Sequence, residues 1–357
     1  MQPQARPSPR WTPAGLITLL VALVLAAVAF SVGYSYGVGI GVAAGLLILL
    51  AGLIAAGLFY QQLAEARDRG CFPPPGRMML ANGVQLHTQV FGVPRAEPIL
   101  VFFNGERSAS PEWAWVAGDS ARIGRAVLFD WPGSGWSPAA ARPCTAETLA
   151  SALHQVLADL DLAPPYLLVG HGLGGMQARV FELLYPQEVL GAVLVDPLTG
   201  DPQEAGLPEF RSPGRASRIA ARLGLPRLAG RSRGLASGLP DQEFEEMVAF
   251  QSSISSLENR ASESLLWQTA ADLVSRRQEP AARSRWIILG ASDADPGLNA
   301  AARAGLKDRQ AELASRTAQA EFRLLPGSNR FSVVRSAENA GEVSAAIREL
   351  AGSPPAG

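Results

Sequence analysis

Tyr166-Leu167-Leu168-Val169-Gly170-His171-Gly172-Leu173-Gly174-Gly175 reads as a short buried strand, a tight glycine turn and the start of a helix. Such a turn lifts its middle side chain to the top of a sheet. In this G-H-G-L-G run the middle position is Gly172, which carries only a hydrogen. The position that the turn would present therefore carries no functional group.

Outward from this turn the chain alternates apolar runs with helical periodicity. Runs at Met78–Leu80, Gln85–Phe91, Ile99–Phe103, Ala126–Phe129, Tyr166–Val169, Ala192–Val195, Trp286–Leu289 and Glu321–Leu325 predict eight strands. Helical spacing occupies Ala146–Leu162, Leu173–Tyr185, Ala300–Ala318 and Ala337–Leu350. Asn82-Gly83 joins the first two strands as a hairpin. The β-α-β-α order that follows predicts an α/β fold, a mostly parallel sheet flanked by helices. Residues 198–284 break the rhythm, rich in arginine and glycine with no clear strand. We read them as a helical cap over the strand C-termini, between core segments 77–197 and 285–352, with 353–357 as a tail.

The N-terminal end is of another kind. From Trp11 to Ala64, 54 residues carry no charged side chain. One straight helix of that length would far exceed a bilayer core of about 30 Å. After a tail at 1–13, a transmembrane hairpin over 14–60 fits better, with spans Ala14–Val32 and Val38–Tyr60 joined by Gly33-Tyr34-Ser35-Tyr36-Gly37. A cleaved signal peptide, with Ala26-Ala27-Val28-Ala29 as its small residues, would leave the second run unexplained. Residues 61–76, ending in Pro73-Pro74-Pro75-Gly76, are expected to form a linker. Arg6 and Arg10 before the first span, and Arg67 and Arg69 after the second, place both ends in the cytoplasm. A multi-pass protein of a bacterial inner membrane is expected, its soluble domain cytoplasmic. Gly37, Gly41 and Gly45 give a smooth face for helix contact, although glycine is common in membrane helices generally.

Composition narrows the functions. The chain has 357 residues, 48% apolar and 18% charged, with net charge −1, which argues against a nucleic-acid partner. Cys71 and Cys144 build no disulfide framework, and His87, His154 and His171 do not sit at metal-ligand spacing. No metal and no cofactor are expected.

Residues from about 73 to 352 resemble the α/β-hydrolase superfamily, most closely its bacterial membrane-anchored members. The resemblance rests on Pro73-Pro74-Pro75-Gly76, Leu86-His87, Asp130-Trp131-Pro132-Gly133-Ser134-Gly135-Trp136-Ser137, Pro165–Gly175 and Leu194-Val195-Asp196. It implies that the glycine turn is a nucleophile elbow, in which G-x-S-x-G has become G-H-G-L-G. It places the catalytic histidine in Gly327-Ser328-Asn329-Arg330-Phe331, where Arg330 stands instead. His171 would then be a supporting residue, and His87 and His154 structural. Asp196, Asp293 and Asp295 occupy positions open to a triad acid, or are loop carboxylates or helix caps. Oxyanion donors would come from the Asn104-Gly105-Glu106 backbone and from Leu173. A ligand pocket lined by Asn104, Gly105, His171, Gly172, Leu173 and Arg330 is expected.

Arginine, with a pKa above about 12, is no general base near neutral pH. Arg330 is expected to pair with Asp196, Asp293 or Asp295, or else to recognise an anionic ligand. The leading expectation is a hydrolase-fold pseudoenzyme, tethered to the membrane and binding a protein or small ligand as a subunit of a membrane assembly. The alternatives are an active ester or amide hydrolase with an unrecognised nucleophile, and an accessory protein holding a lipid under the cap.

Overall fold

A computed structural model describes residues 34–93, 97–201, 213–276, 284–293, 300–316 and 319–352, with single positions among 24–32 and at 204 and 210. The chain divides into two compact units, residues 1–67 with Arg222–Leu225, and Asp68–Ala221 with Pro226–Gly357.

Helix α1, Val38–Cys71, is long and apolar enough to cross a membrane. At 1.5 Å per residue its 34 residues extend about 51 Å, more than a bilayer core of about 30 Å, which residues 38–60 alone would be long enough to cross. The linker expected from residue 61 therefore begins only after Cys71. Gln61, Leu63, Ala64, Glu65, Ala66 and Arg67 are good helix formers, and Gln61 Nε2 donates to Glu65 one turn on (2.9 Å). Most of the first expected span lies outside the described residues. Tyr34, Ser35 and Tyr36 are helical where a connecting turn was expected, and the helical run breaks at Gly37, whose φ is 102°.

The second unit is built on an eight-stranded sheet: β1 Arg77–Ala81, β2 Val84–Gly92, β3 Ile99–Phe103, β4 Arg125–Phe129, β5 Tyr166–His171, β6 Val189–Val195, β7 Arg285–Ala291 and β8 Ala320–Leu325. Their order is β1-β2-β4-β3-β5-β6-β7-β8, with β2 antiparallel to both neighbours and every later pair parallel. Each expected strand is present. β3 and β5 are buried along their whole length, as continuous apolar runs in a two-sided sheet require.

One face of the sheet is covered by α3 (Ala146–Asp159) and α4 (Leu173–Leu184), the other by α2 (Ala114–Ser120) and α13 (Ala337–Ala351). A 3₁₀ turn, Ser110–Trp113, leads into α2. The described residues between β6 and β7 contain helices and no strand: α5 Arg215–Arg222, α6 Leu225–Leu228, α7 Arg231–Leu235, α8 Asp241–Gln251, α9 Ile254–Glu258 and α10 Arg260–Arg276. α10 packs on α3 and α4. α11 (Ala300–Ser315) and the short α12 (Ser332–Arg335) complete the set. The loops after β3, β5, β6, β7 and β8 converge at one edge, the C-terminal end of the parallel strands, where open α/β sheets build sites.

Candidate functional site

Gly172 links β5 to α4 with φ 53° and ψ −117°, a backbone that only glycine adopts without strain. Its N–H donates to the Val195 carbonyl (3.0 Å), and its own carbonyl accepts from Gly175 (3.1 Å) and Leu198 (3.0 Å). The next turn is equally tight. A Cβ on Gly174 would lie 2.2 Å from the Phe103 carbonyl oxygen, so the helix start presses on the end of β3.

The space above Gly172 is taken. A Cβ there would meet Glu106 Oε2 at 2.5 Å and Arg330 Nη2 at 3.2 Å. Glu106 Oε2 accepts from the Leu173 N–H (3.1 Å), and Glu106 Oε1 forms an ion pair with Arg330 Nε at 2.5 Å. Both side chains are almost wholly buried. Glycine has no side chain with which to cap α4, so a carboxylate from the loop after β3 satisfies an orphan N–H and meets the positive end of the helix dipole.

A second charged cluster lies beneath the first. Glu112 accepts from the Gly105 N–H (2.6 Å) and from His171 Nδ1 (3.0 Å), while Arg335 approaches it at 3.5 Å. His171 Nε2 faces the Arg330 carbonyl oxygen at 2.8 Å. Both imidazole nitrogens thus face acceptors, and only the imidazolium donates from both. Burial opposes that charge, but the Glu112 and Glu106 carboxylates prevail and hold the His171 pKa above its ordinary value. Burial also opposes the Glu112 charge, yet His171, Arg335 and the Gly105 N–H hold its carboxyl below the usual range.

Two of the three candidate acids lie among the described residues. Asp196 Oδ1 accepts from Arg303 Nη1 (2.7 Å) and Gln310 Nε2 (3.0 Å), both on α11. Burial raises its pKa, but the charges of Arg303 and then Arg330 leave it lowered overall. Asp293 is exposed and accepts from the Ser292 hydroxyl at 2.6 Å. Asp295 lies outside the described residues. Among the described residues Arg330 forms an ion pair with Glu106, which was not among the partners expected, while Asp196 is bound from α11.

The six residues expected to line a ligand pocket do converge, but all six are buried. Asn104 is held by the scaffold, its Nδ2 donating to the Phe129 carbonyl (2.8 Å) and its Oδ1 accepting from Trp113 Nε1 (3.0 Å). The Gly105 and Leu173 N–H groups, from the stretches expected to supply oxyanion donors, each serve a carboxylate. A neighbouring cavity lined by Arg107, Ser134, Phe250 and Glu263 measures about 20 Å³, room for one water. Burial pushes the Glu263 carboxyl there up to about 7, helped by the Glu106 charge and opposed by the Arg107 N–H that it accepts (2.9 Å).

His87 and His154 are tied down by carboxylates, His87 Nδ1 to Asp130 at 2.9 Å and His154 Nε2 to Glu188 at 2.9 Å. Asp130 also accepts from the Ser110 N–H (2.7 Å) and hydroxyl (2.5 Å), locking the loop after β4 to the loop after β3. Sequence reading passed over the side chains of Glu106, Glu112, Glu263 and Arg335. The one signal available was an acidic residue directly following Asn104-Gly105, in a stretch expected to supply oxyanion donors.

A family model described as alpha/beta hydrolase fold matches residues 98–277, about half of the chain. The chain belongs to the alpha/beta hydrolase fold family. Among curated proteins it is 39% identical over 72 residues to an uncharacterized protein of Schizosaccharomyces pombe, a match covering 20% of this chain and 14% of that protein. It is 28% identical over 102 residues to the uncharacterized protein YqjL of Bacillus subtilis, covering 29% of this chain and 40% of YqjL. The chain therefore spans less than half the length of either relative. Among solved structures it resembles the epoxide hydrolase VrEH1 from Vigna radiata, with TM-score 0.60, 16% identity, and coverage of 76% of this chain and 97% of that one. At that identity the likeness is one of fold.

Proposed function

We propose that this hydrolase-fold chain is a pseudoenzyme, anchored in a bacterial inner membrane and serving as a binding subunit of a membrane assembly. One observation carries the reading: the Glu106 carboxylate, paired with Arg330, fills the place where a nucleophile on residue 172 would stand. Acyl transfer needs a nucleophile, a base to activate it and free donors for the oxyanion. Gly172 supplies no nucleophile. Arg330 keeps its proton near neutral pH and supplies no base. The Leu173 N–H already holds an anion, and a second negative charge would have to displace it.

The anchor is α1, preceded by the first apolar segment as the other arm of a hairpin, with the hydrolase-fold unit on the cytoplasmic side. A reporter fused after residue 352 and protease treatment of sealed vesicles test that topology. A binding role is the reading left to a fold whose buried charges hold one another and leave no group free for chemistry on a substrate.

The deciding experiment is fluorophosphonate labelling and ester turnover by the natural full-length protein. A Gly172→Ser/Arg330→His/Glu106→Ala variant is measured beside it. Restoring serine and histidine alone would leave Glu106 against the new serine. No labelling and no turnover are expected of the natural protein; robust turnover would refute the reading and demand another nucleophile.

A further inference from the structure

Between residues 211 and 240 the chain carries seven arginines and no lysine or acidic residue, although the whole protein has net charge −1. On α5, Arg215, Arg218 and Arg222 recur at helical spacing and share one face with Ile219. The face is open. Arg215, Arg218 and Arg222 are exposed, Ile219 is 60% exposed, and beyond α5 Leu225 and Leu228 are 50% and 65% exposed. Exposed leucine and isoleucine interleaved with arginine is a poor surface for water alone. It suits a headgroup layer, where apolar side chains sink and guanidinium groups meet phosphate.

The position of the segment along α1 supplies an independent observation. Leu223 lies against Gly57, with its carbonyl oxygen 3.0 Å from where a Cβ would stand, and Gly224 lies against the Tyr60 ring. Gly57 and Tyr60 close the apolar stretch of α1, and the first charge beyond them is Glu65. In a membrane-spanning α1, that level is the boundary between hydrocarbon and headgroups. Just beyond it, Arg227 pairs with Asp68 at 2.7 Å. Arg222, the last residue of α5, is thus joined directly to a segment, Leu223-Gly224, that rests on α1 at this level.

We propose that residues 215–233 form a membrane-surface element that docks on the anionic lipid headgroups of the leaflet into which α1 emerges. The inference rests on the reading of α1 as a membrane span. Charge complementarity favours this occupant over a protein groove, because one positive face of this kind matches a negatively charged plane.

The test uses the full-length protein with Cys71→Ser, Cys144→Ala and Ile219→Cys, labelled at residue 219 with an environment-sensitive dye. The protein is reconstituted in vesicles of phosphatidylcholine alone or with about one-third phosphatidylglycerol. The anionic vesicles are expected to shift the emission to the blue and to give strong quenching by nitroxide lipid. High salt should reverse both changes. Arg215→Gln/Arg218→Gln/Arg231→Gln should weaken docking about a hundred-fold, from about five-fold per arginine. Flotation with the vesicles, measured on the same samples, reads anchoring by α1. Protein that floats but shows one spectrum in both lipids overturns the docking proposal alone. Protein that floats with neither lipid overturns it together with the membrane reading.

Discussion

Gly172→Ser tests whether the glycine turn is built around the Glu106–Arg330 pair. The new Cβ would stand 2.5 Å from Glu106 Oε2, so the carboxylate must retreat by close to an ångström to reach ordinary contact. It is held by the Leu173 N–H at 3.1 Å and by Arg330 at 2.5 Å, and retreat loosens both. Losing a charge-assisted hydrogen bond costs about 1.5–3 kcal/mol. Placing a non-glycine residue at φ 53° adds about 1–3 kcal/mol. Together the substitution should destabilise the protein by ~3–6 kcal/mol, and at roughly 2–4 °C per kcal/mol the apparent Tm should fall by about 10 °C. The assay is thermal unfolding of the full chain in detergent, followed by tryptophan fluorescence at one scan rate. The clash is separated from the backbone strain by repeating the substitution in a Glu106→Ala background. There Gly172→Ser should cost about 1.5–3 kcal/mol less, a coupling that reports the carboxylate alone. A serine variant as stable as the natural protein, or the same cost in both backgrounds, would refute the reasoning.

Other outcomes follow from the same geometry. Arg330→Ala strands the buried Glu106 carboxylate and should cost about 3–5 kcal/mol in thermal or urea unfolding, whereas Arg323→Ala, in a half-exposed cluster, should cost under about 1 kcal/mol. Asp196→Asn should destabilise through loss of the buried Arg303 pair, with no effect on fluorophosphonate labelling. Stability should fall as pH rises from about 4.5 to 7. The unfolded chain releases the Glu263 proton over that range while the folded chain, with its pKa near 7, retains it. The loss should reach about 3 kcal/mol, and Glu263→Gln should flatten the slope. His171, its pKa raised in the fold, contributes stability that is complete below about pH 6.5 and lost as pH rises through its folded pKa; His171→Gln should remove that decline.

The strands were legible because buried parallel strands are continuous apolar runs, and Ile99–Phe103 coincides with its run. The turn and helix after β3 were missed: Ser108-Ala109-Ser110-Pro111-Glu112-Trp113 reads as loop, and Glu112 and Trp113 prove to be buried there. At the site, the family motifs located Gly172 and Arg330 without disclosing what joined them. Ion pairs between distant segments leave no periodic trace, so Glu106, 224 positions before Arg330, gave no sign of pairing with it. The partners of Asp196 were hidden for a related reason. Arg303 and Gln310 look like surface residues of an arginine-rich helix, yet both are buried and reach inward.

The pair that fills the glycine turn also shapes the routes open to mutation. Serine introduced alone collides with a carboxylate. Arginine removed alone leaves that carboxylate unneutralised, and glutamate removed alone leaves a buried guanidinium and a bare helix end. Every single step toward a hydroxyl in this turn therefore passes through a less stable protein. Three positions scattered along the chain thus act as a ratchet, in which no one of them changes toward a hydroxyl-bearing turn without loss.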